Sequence, residues 1–159
     1  MMPAPGSRPD AKGRDPGTAA VSGTVIGFDF GERRIGVAVG ETSTRIANPL
    51  GAIEETANEA RFRAIGRIVD EWQPAGFVVG RPRHSDDSEH AVAKLAEKFA
   101  RRLEARYHLP VEFVDETLSS AEAESELRRT RTRASRKSDV DAMAATIILQ
   151  SYLDGLEAA

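Results

Sequence analysis

The sequence contains no cysteine, which excludes disulfide bonds, thiolate metal sites and cysteine nucleophiles. No run approaches the ~18 consecutive apolar residues that a membrane-spanning helix needs. Aromatic residues make up only 6% of the chain, so the sequence shows no sign of a surface on which nucleic-acid bases stack. We therefore expect a cytoplasmic protein that makes no use of a membrane.

The first 23 residues also lack an apolar segment and do not match a secretory signal. They are rich in proline, glycine and small polar residues, which cannot bury enough surface to offset the entropy lost on ordering. The remaining chain is long enough for a single hydrophobic core. We predict a disordered tail at residues 1–23 and one domain at residues 24–156.

Hydrophobic periodicity predicts the strands. Side chains alternate with period two from Thr24 to Phe30, which is typical of a strand. Gly31 is expected to adopt a positive φ in a turn that leads to the next strand. Pro49 restricts its own strand to the edge of a sheet or to a strand end. The predicted strands cover residues 24–30, 35–39, 46–50, 76–80 and 111–115.

Four helices are predicted. Ile65, Ile68, Val69 and Trp72 recur at helical spacing and indicate an amphipathic helix. A second helix has a similar apolar stripe, a third opens with a capping-box pattern, and the last is apolar almost all round and therefore largely buried. The helices cover residues 58–72, 89–107, 121–129 and 139–156. This order predicts an α/β fold whose sheet has an antiparallel and a parallel part.

Three carboxylates stand where a carboxylate is unfavourable: Asp29 at the end of the first strand, Glu116 after Asp115 at the end of the last, and Asp141 in the first turn of the last helix. Strand ends and a helix start can meet at one edge of a sheet. Hard divalent cations such as Mg²⁺ prefer oxygen ligands of this kind. Two ions would clamp the attacking and leaving oxygens of a phosphodiester.

Each acid also has a purely structural explanation, and the residues alone leave both open. Asp29 is suited to a turn before Gly31. Glu116 is suited to solvent. Asp141 follows Ser138 by three residues, as in a capping box, and an acid in a first helical turn complements the helix dipole.

Four segments, IGFDFGERRIGVAVG, VVGRPRHSDDSE, VDETLSS and SDVDAMAATIILQSYLD, occur in an order and spacing that resemble the YqgF/RuvX family. These are nucleases of the RNase H-like superfamily, related to Holliday junction resolvases. The resemblance covers residues 25–154. It implies an RNase H-like mixed five-stranded sheet flanked by helices. Asp29, Glu116 and Asp141 match the family's acids, and Asp86 matches an acid of its central loop.

The chain also departs from the family pattern. Arg81 stands where the family often has an apolar residue, and Asp87 where it often has glycine. Thr117 replaces an arginine, and Asp139 replaces a lysine. The missing positive charges bear on substrate positioning more than on metal binding. Asp139 either joins the metal ligands or caps the helix, and we favour capping.

Basic residues accompany the acids although the net charge is −3. The segment 128–137 holds six basic residues and no acid, so it is either a solvated loop or a surface that binds phosphates. Hairpin arginines are also often exposed for solubility alone. The candidate substrate-binding residues are Arg33, Arg34, Arg81, Arg83, Arg131, Arg133 and Arg136.

The predicted function is that of a metal-dependent endonuclease, with Asp29, Glu116 and Asp141 holding two Mg²⁺ or Mn²⁺ ions and water as the nucleophile. The resemblance implies 5′-end processing of pre-16S rRNA, and branched DNA at Holliday junctions is the alternative substrate. An ATP-binding module and a non-catalytic RNA-binding assembly factor are the alternatives from other classes. The protein is expected to be a monomer or a homodimer.

Overall fold

The computed structural model describes residues 21–82, 87–116 and 137–156, and of residues 82, 87–89, 116, 137 and 138 it describes only the backbone. The predicted helix at 121–129 lies outside these ranges. So do four of the predicted site residues, Arg83, Arg131, Arg133 and Arg136, and the acid of the central loop, Asp86.

Five strands and three helices make up the described chain. The strands are β1 (Thr24–Asp29), β2 (Ile35–Glu41), β3 (Ile46–Ile53), β4 (Gly76–Pro82) and β5 (Val111–Glu116). The helices are α1 (Asn58–Trp72), α2 (Asp87–Tyr107) and α3 (Lys137–Asp154). All of the predicted strands and three of the predicted helices are therefore present, with ends that differ by at most three residues. None of the described helices has the length and apolar character to cross a membrane.

All five strands form one mixed sheet in the order β3-β2-β1-β4-β5. The β1–β2 and β2–β3 pairs are antiparallel, whereas β4 runs parallel to both β1 and β5. The predicted mixed five-stranded sheet is thereby confirmed. Pro49 lies in β3, which is an edge strand, as its missing N–H requires.

Each face of the sheet carries its own hydrophobic core. Side chains of one strand parity, such as Phe28 and Val79, pack with α1 and α2 in a cluster that includes Phe62 and Phe99. Side chains of the other parity pack with α3 in a cluster composed of Val21, Val25, Ala38, Val78, Ala145, Ile148, Leu149 and Leu153. The alternation in β1 therefore separates two buried faces rather than a buried face from a solvated one.

Helix α3 approaches the sheet closely because glycines line the strands beneath it. A Cβ added at Gly27 would lie 2.8 Å from the Cβ of Leu149, and one at Gly40 would lie 2.9 Å from a methyl group of Leu153. Real Cβ atoms essentially never come so close to another heavy atom. The glycines of β1 and β2 thus fix how near α3 sits.

Two details differ from the sequence-based expectations. Gly31 does not adopt a positive φ. A glycine is needed there because a Cβ would lie 2.6 Å from the carbonyl oxygen of Arg34 across the tight turn. The folded chain also begins before Thr24: Val21 is buried among the residues beneath α3, and the Gly23 N–H donates to the Thr42 hydroxyl at 2.8 Å.

Candidate active site

The carboxyl ends of three parallel strands lie at one edge of the sheet. Asp29 ends β1 and pairs with Gly80 of β4, while Glu116 ends β5 and pairs with Pro82. Ligands of open α/β sheets bind outside such strand ends. The two predicted acids on strands therefore have backbones at the same edge, with β4 between them.

Asp29 lies on the face that α3 covers. It shares the parity of Val25, which packs with α3, and of Gly27, which contacts Leu149. The following residue, Phe30, has the opposite parity and packs with the phenylalanines beneath α1 and α2. In the sequence Asp-Phe-Gly, Asp29 therefore lies on one face of the sheet and Phe30 packs on the other, and the turn begins at Gly31.

Gly36 brings Asp141 next to Asp29. Gly36 is the antiparallel partner of Asp29, so the two Cα atoms are about 5 Å apart. A Cβ at Gly36 would lie 1.9 Å from the carbonyl oxygen of Asp141 and 3.2 Å from its Cβ. Only a residue without a side chain permits this approach, and it makes Asp29 and Asp141 neighbours on one face.

Asp141 is not a helix cap. Helix α3 begins at Lys137, so Asp141 lies beyond the first turn, and the capping-box interpretation with Ser138 is wrong. Its Oδ2 accepts a hydrogen bond from the Nε of Arg34 at 2.6 Å, in a half-buried ion pair. Asp139 is exposed in the first turn of α3, where an acid complements the helix dipole.

The three predicted arginines that the structure describes do not lie together. Arg34 contacts Asp141, and Arg33 beside it is exposed. Arg81 instead has the parity of Phe77 and Val79, so it lies on the face opposite Asp29. Its guanidinium forms ion pairs with Asp115 at 3.1 Å and Glu97 at 3.3 Å, and its Cζ lies 4.5 Å from the centre of the Phe113 ring.

Arg61 is a site-adjacent residue that the sequence-based reasoning missed. It lies in α1, is only 5% exposed, and donates hydrogen bonds to the carbonyls of Gly31 and Glu32 in the loop that carries Arg33 and Arg34. Burial lowers the pKa of the Arg61 guanidinium by desolvation. In the sequence it is one of several arginines in an amphipathic helix, and nothing local distinguishes it from its exposed neighbours.

The donor chemistry fits a hard divalent cation, since Asp29 and Asp141 offer carboxylate oxygens on one face of the sheet. Among the side chains that the structure describes, no group of three acids or histidines is arranged to hold a metal ion. The third predicted ligand, Glu116, is not among these side chains, because the structure describes only its backbone. The pair of neighbouring carboxylates is therefore the part of the predicted site that the structure contains.

Comparison with known proteins identifies the family. Residues 23–155 match the family described as "RuvX: Holliday junction resolvase". The chain belongs to the RuvX family. A relative from Methylobacillus flagellatus, named "Putative pre-16S rRNA nuclease", is 53% identical over 139 residues, which cover 87% of this chain and 95% of the relative. A relative of the same name from Dechloromonas aromatica is 52% identical over 133 residues, covering 83% and 91%.

Solved structures show that this RuvX protein has an RNase H-like fold. Thermus thermophilus RuvC in complex with a Holliday junction substrate superposes with a TM-score of 0.51 at 15% identity, covering 83% of this chain and 94% of RuvC. The fowlpox virus Holliday junction resolvase gives a TM-score of 0.51 at 10% identity, covering 84% and 99%. At such low identities the superpositions establish only that these two resolvases share their fold with this RuvX chain.

Proposed function

We propose that this RuvX protein is a divalent-metal-dependent endonuclease that hydrolyses phosphodiester bonds at the 5′ end of pre-16S rRNA. Membership of the RuvX family makes the protein a nuclease. The observation that carries the proposal is the approach of α3 at Gly36, which sets Asp141 beside Asp29 at the carboxyl edge of the sheet.

Asp29, Asp141 and Glu116 are the proposed ligands of two Mg²⁺ or Mn²⁺ ions. When bound, such ions would polarise the scissile phosphate and lower the pKa of water, the nucleophile of the hydrolysis. Arg34 holds the Asp141 carboxylate in one orientation through the 2.6 Å contact. Arg33, exposed on the same loop, meets a backbone phosphate of the substrate.

The names of the relatives support RNA as the substrate, since they specify pre-16S rRNA. A four-way DNA junction is the second candidate, because the family description and the superposed resolvases specify Holliday junctions. Both substrates present phosphates to the same carboxylates. We expect this protein to act in the cytoplasm as a monomer or homodimer, whereas a junction resolvase is expected to cut symmetrically as a dimer.

Cleavage assays with the two substrates test this proposal. Labelled pre-16S rRNA fragments and four-way junctions are incubated with the protein in Mg²⁺ or Mn²⁺, and products are resolved by gel. Asp29→Asn and Asp141→Asn should each lower kcat by about 10³-fold, because an amide is a far weaker ligand for a hard cation than a carboxylate. Preferential cutting of the RNA, at one position near its mature end, is the expected pattern.

Asp154→Asn is the matched control, since it makes the same change at the far end of α3. Asp154 is exposed, and its contact with Gln150 tolerates an amide. This variant should cleave as the wild type does. Full activity in both Asp29→Asn and Asp141→Asn would reject the proposed ligands, and symmetric cutting of junctions without cutting of RNA would reject the proposed substrate.

A further inference from the structure

Arg61 is the one buried charged side chain among the residues that the structure describes. None of the ion pairs formed in the described part of the chain involves it. Its Nε donates to the carbonyl of Glu55 at 2.6 Å, and its Nη2 donates to the carbonyls of Gly31 at 3.0 Å and Glu32 at 2.7 Å. A guanidinium is thus buried against three backbone carbonyls.

Burying a charge in this way costs free energy, which the lowered pKa of Arg61 reflects. The guanidinium also lies against Phe30, with 5.5 Å from Cζ to the ring centre. Two of its three hydrogen bonds hold the backbone of one short loop, residues 30–34, which joins β1 to β2, and the third holds the Glu55 carbonyl just before α1. The planar fork of arginine can hold two carbonyls at once, and lysine offers no such fixed geometry.

This loop connects the two faces of the sheet. Arg61 grips it from α1 on one face, and Arg34 of the same loop reaches Asp141 of α3 on the other. The turn is tight, since a Cβ at Gly31 would lie 2.6 Å from the Arg34 carbonyl oxygen. Because the turn leaves the loop little conformational freedom, the position of the carbonyls at 31 and 32 determines the position of the Arg34 Cα atom.

We propose that Arg61 is a positioning residue: by clamping the 30–34 loop from one face of the sheet, it aims Arg34 at the Asp141 carboxylate on the other. Arg61 itself touches neither acid. The proposed consequence for cleavage rests on the proposed nuclease function, whereas the coupling of Arg61 to the Arg34–Asp141 contact does not and is measured without substrate.

The first test is NMR of the arginine side chains in the full-length protein without nucleic acid. The Nε–H signal of Arg34 is assigned by its loss in Arg34→Met. In Arg61→Lys the Arg34 signal should shift and its exchange with water should accelerate about tenfold or more, because the loop opens locally. Arg63→Lys, an exposed neighbour on α1, should leave both unchanged.

Thermal unfolding confirms that each variant is folded at the temperature of the NMR measurement. Should Arg61→Lys not fold, Arg61→Gln is measured instead, since its shorter amide keeps a donor to one carbonyl. An Arg34 signal that keeps its wild-type shift and exchange rate in a folded Arg61 variant overturns the proposal.

The second test is a double-mutant cycle on cleavage. Arg61→Lys and Arg34→Met should each lower kcat about tenfold, and the double variant should be no slower than Arg34→Met alone, because Arg61 acts through Arg34. Effects that multiply would mean that Arg61 acts by another route and overturn the proposal. Full cleavage by Asp29→Asn and Asp141→Asn would instead overturn the proposed function while the NMR coupling persists, so the two failures are distinguishable.

Discussion

Phenylalanine rings fill the space between the sheet and α1 and α2, whereas glycines let α3 come almost into backbone contact on the opposite face. On the first face, Phe99 lies 5.4 Å from Phe28, 5.2 Å from Phe30 and 5.7 Å from Phe62, between ring centres. On the second, Gly36 admits the backbone of Asp141. On the first face, the volume of the side chains keeps the helices away from the sheet. On the second, the lack of side chains at the glycines lets α3 lie close to it.

The difference explains where the candidate chemistry lies. Carboxylates on a strand and on a helix become neighbours only where the two backbones come close, and that happens on the glycine face. The aromatic face supplies volume and burial, and it contributes the Arg61 clamp to the site. The two faces should therefore be sensitive to opposite kinds of substitution. Removing side-chain atoms should destabilise the aromatic face, and adding them should destabilise the glycine face.

Phe99→Ala should have the largest effect on stability. Phe99 is 5% exposed, and removing its ring leaves a cavity among three other phenylalanines. The free energy of unfolding, measured in urea, should fall by about 4 kcal/mol. Phe113→Ala is the matched control: Phe113 is 36% exposed at the β5 edge, so about 1 kcal/mol is expected. Equal losses in the two variants would contradict the account of a side-chain-filled face.

Gly36→Ala should have the next largest effect, although it adds a single methyl group. The new Cβ would meet the Asp141 carbonyl at 1.9 Å, so α3 must shift, at a cost of about 3 kcal/mol. Cleavage should fall further than unfolding explains, because the shift separates Asp141 from Asp29.

Gly66→Ala is the control for Gly36→Ala. Gly66 lies in α1, and its nearest neighbour to an added Cβ is the Tyr107 hydroxyl at 3.6 Å, an ordinary contact. Because alanine favours a helix over glycine, this variant should gain about 0.5–1 kcal/mol. A stable and active Gly36→Ala protein would show that α3 is not held by the glycine face.

The strands, three helices and the mixed sheet were predictable from the sequence because hydrophobic periodicity is a local property. The difference between the two faces was not predictable in this way. Gly36 inside a strand is recognisable as important only when α3 is seen to lie on it. Arg34 and Arg81 were both candidates for binding substrate, and strand parity combined with the register between β1 and β4 places them on opposite faces. That register is set by tertiary packing, which no local pattern contains.

Arg81→Met and Arg34→Met should have the smallest effects on stability. The two variants should nevertheless differ clearly in cleavage activity. Arg81 and its carboxylate partners are partly exposed, as are Arg34 and Asp141, so each substitution should lower the free energy of unfolding by less than ~1 kcal/mol. Arg34 contacts Asp141 of the proposed site, whereas the described ion pairs of Arg81 are with Glu97 and Asp115 on the opposite face. Steady-state cleavage should therefore show kcat and KM within roughly twofold of wild type for Arg81→Met. A clearly raised KM in that variant would mean that substrate reaches around the β5 edge to the aromatic face, as the sequence-based prediction of Arg81 requires.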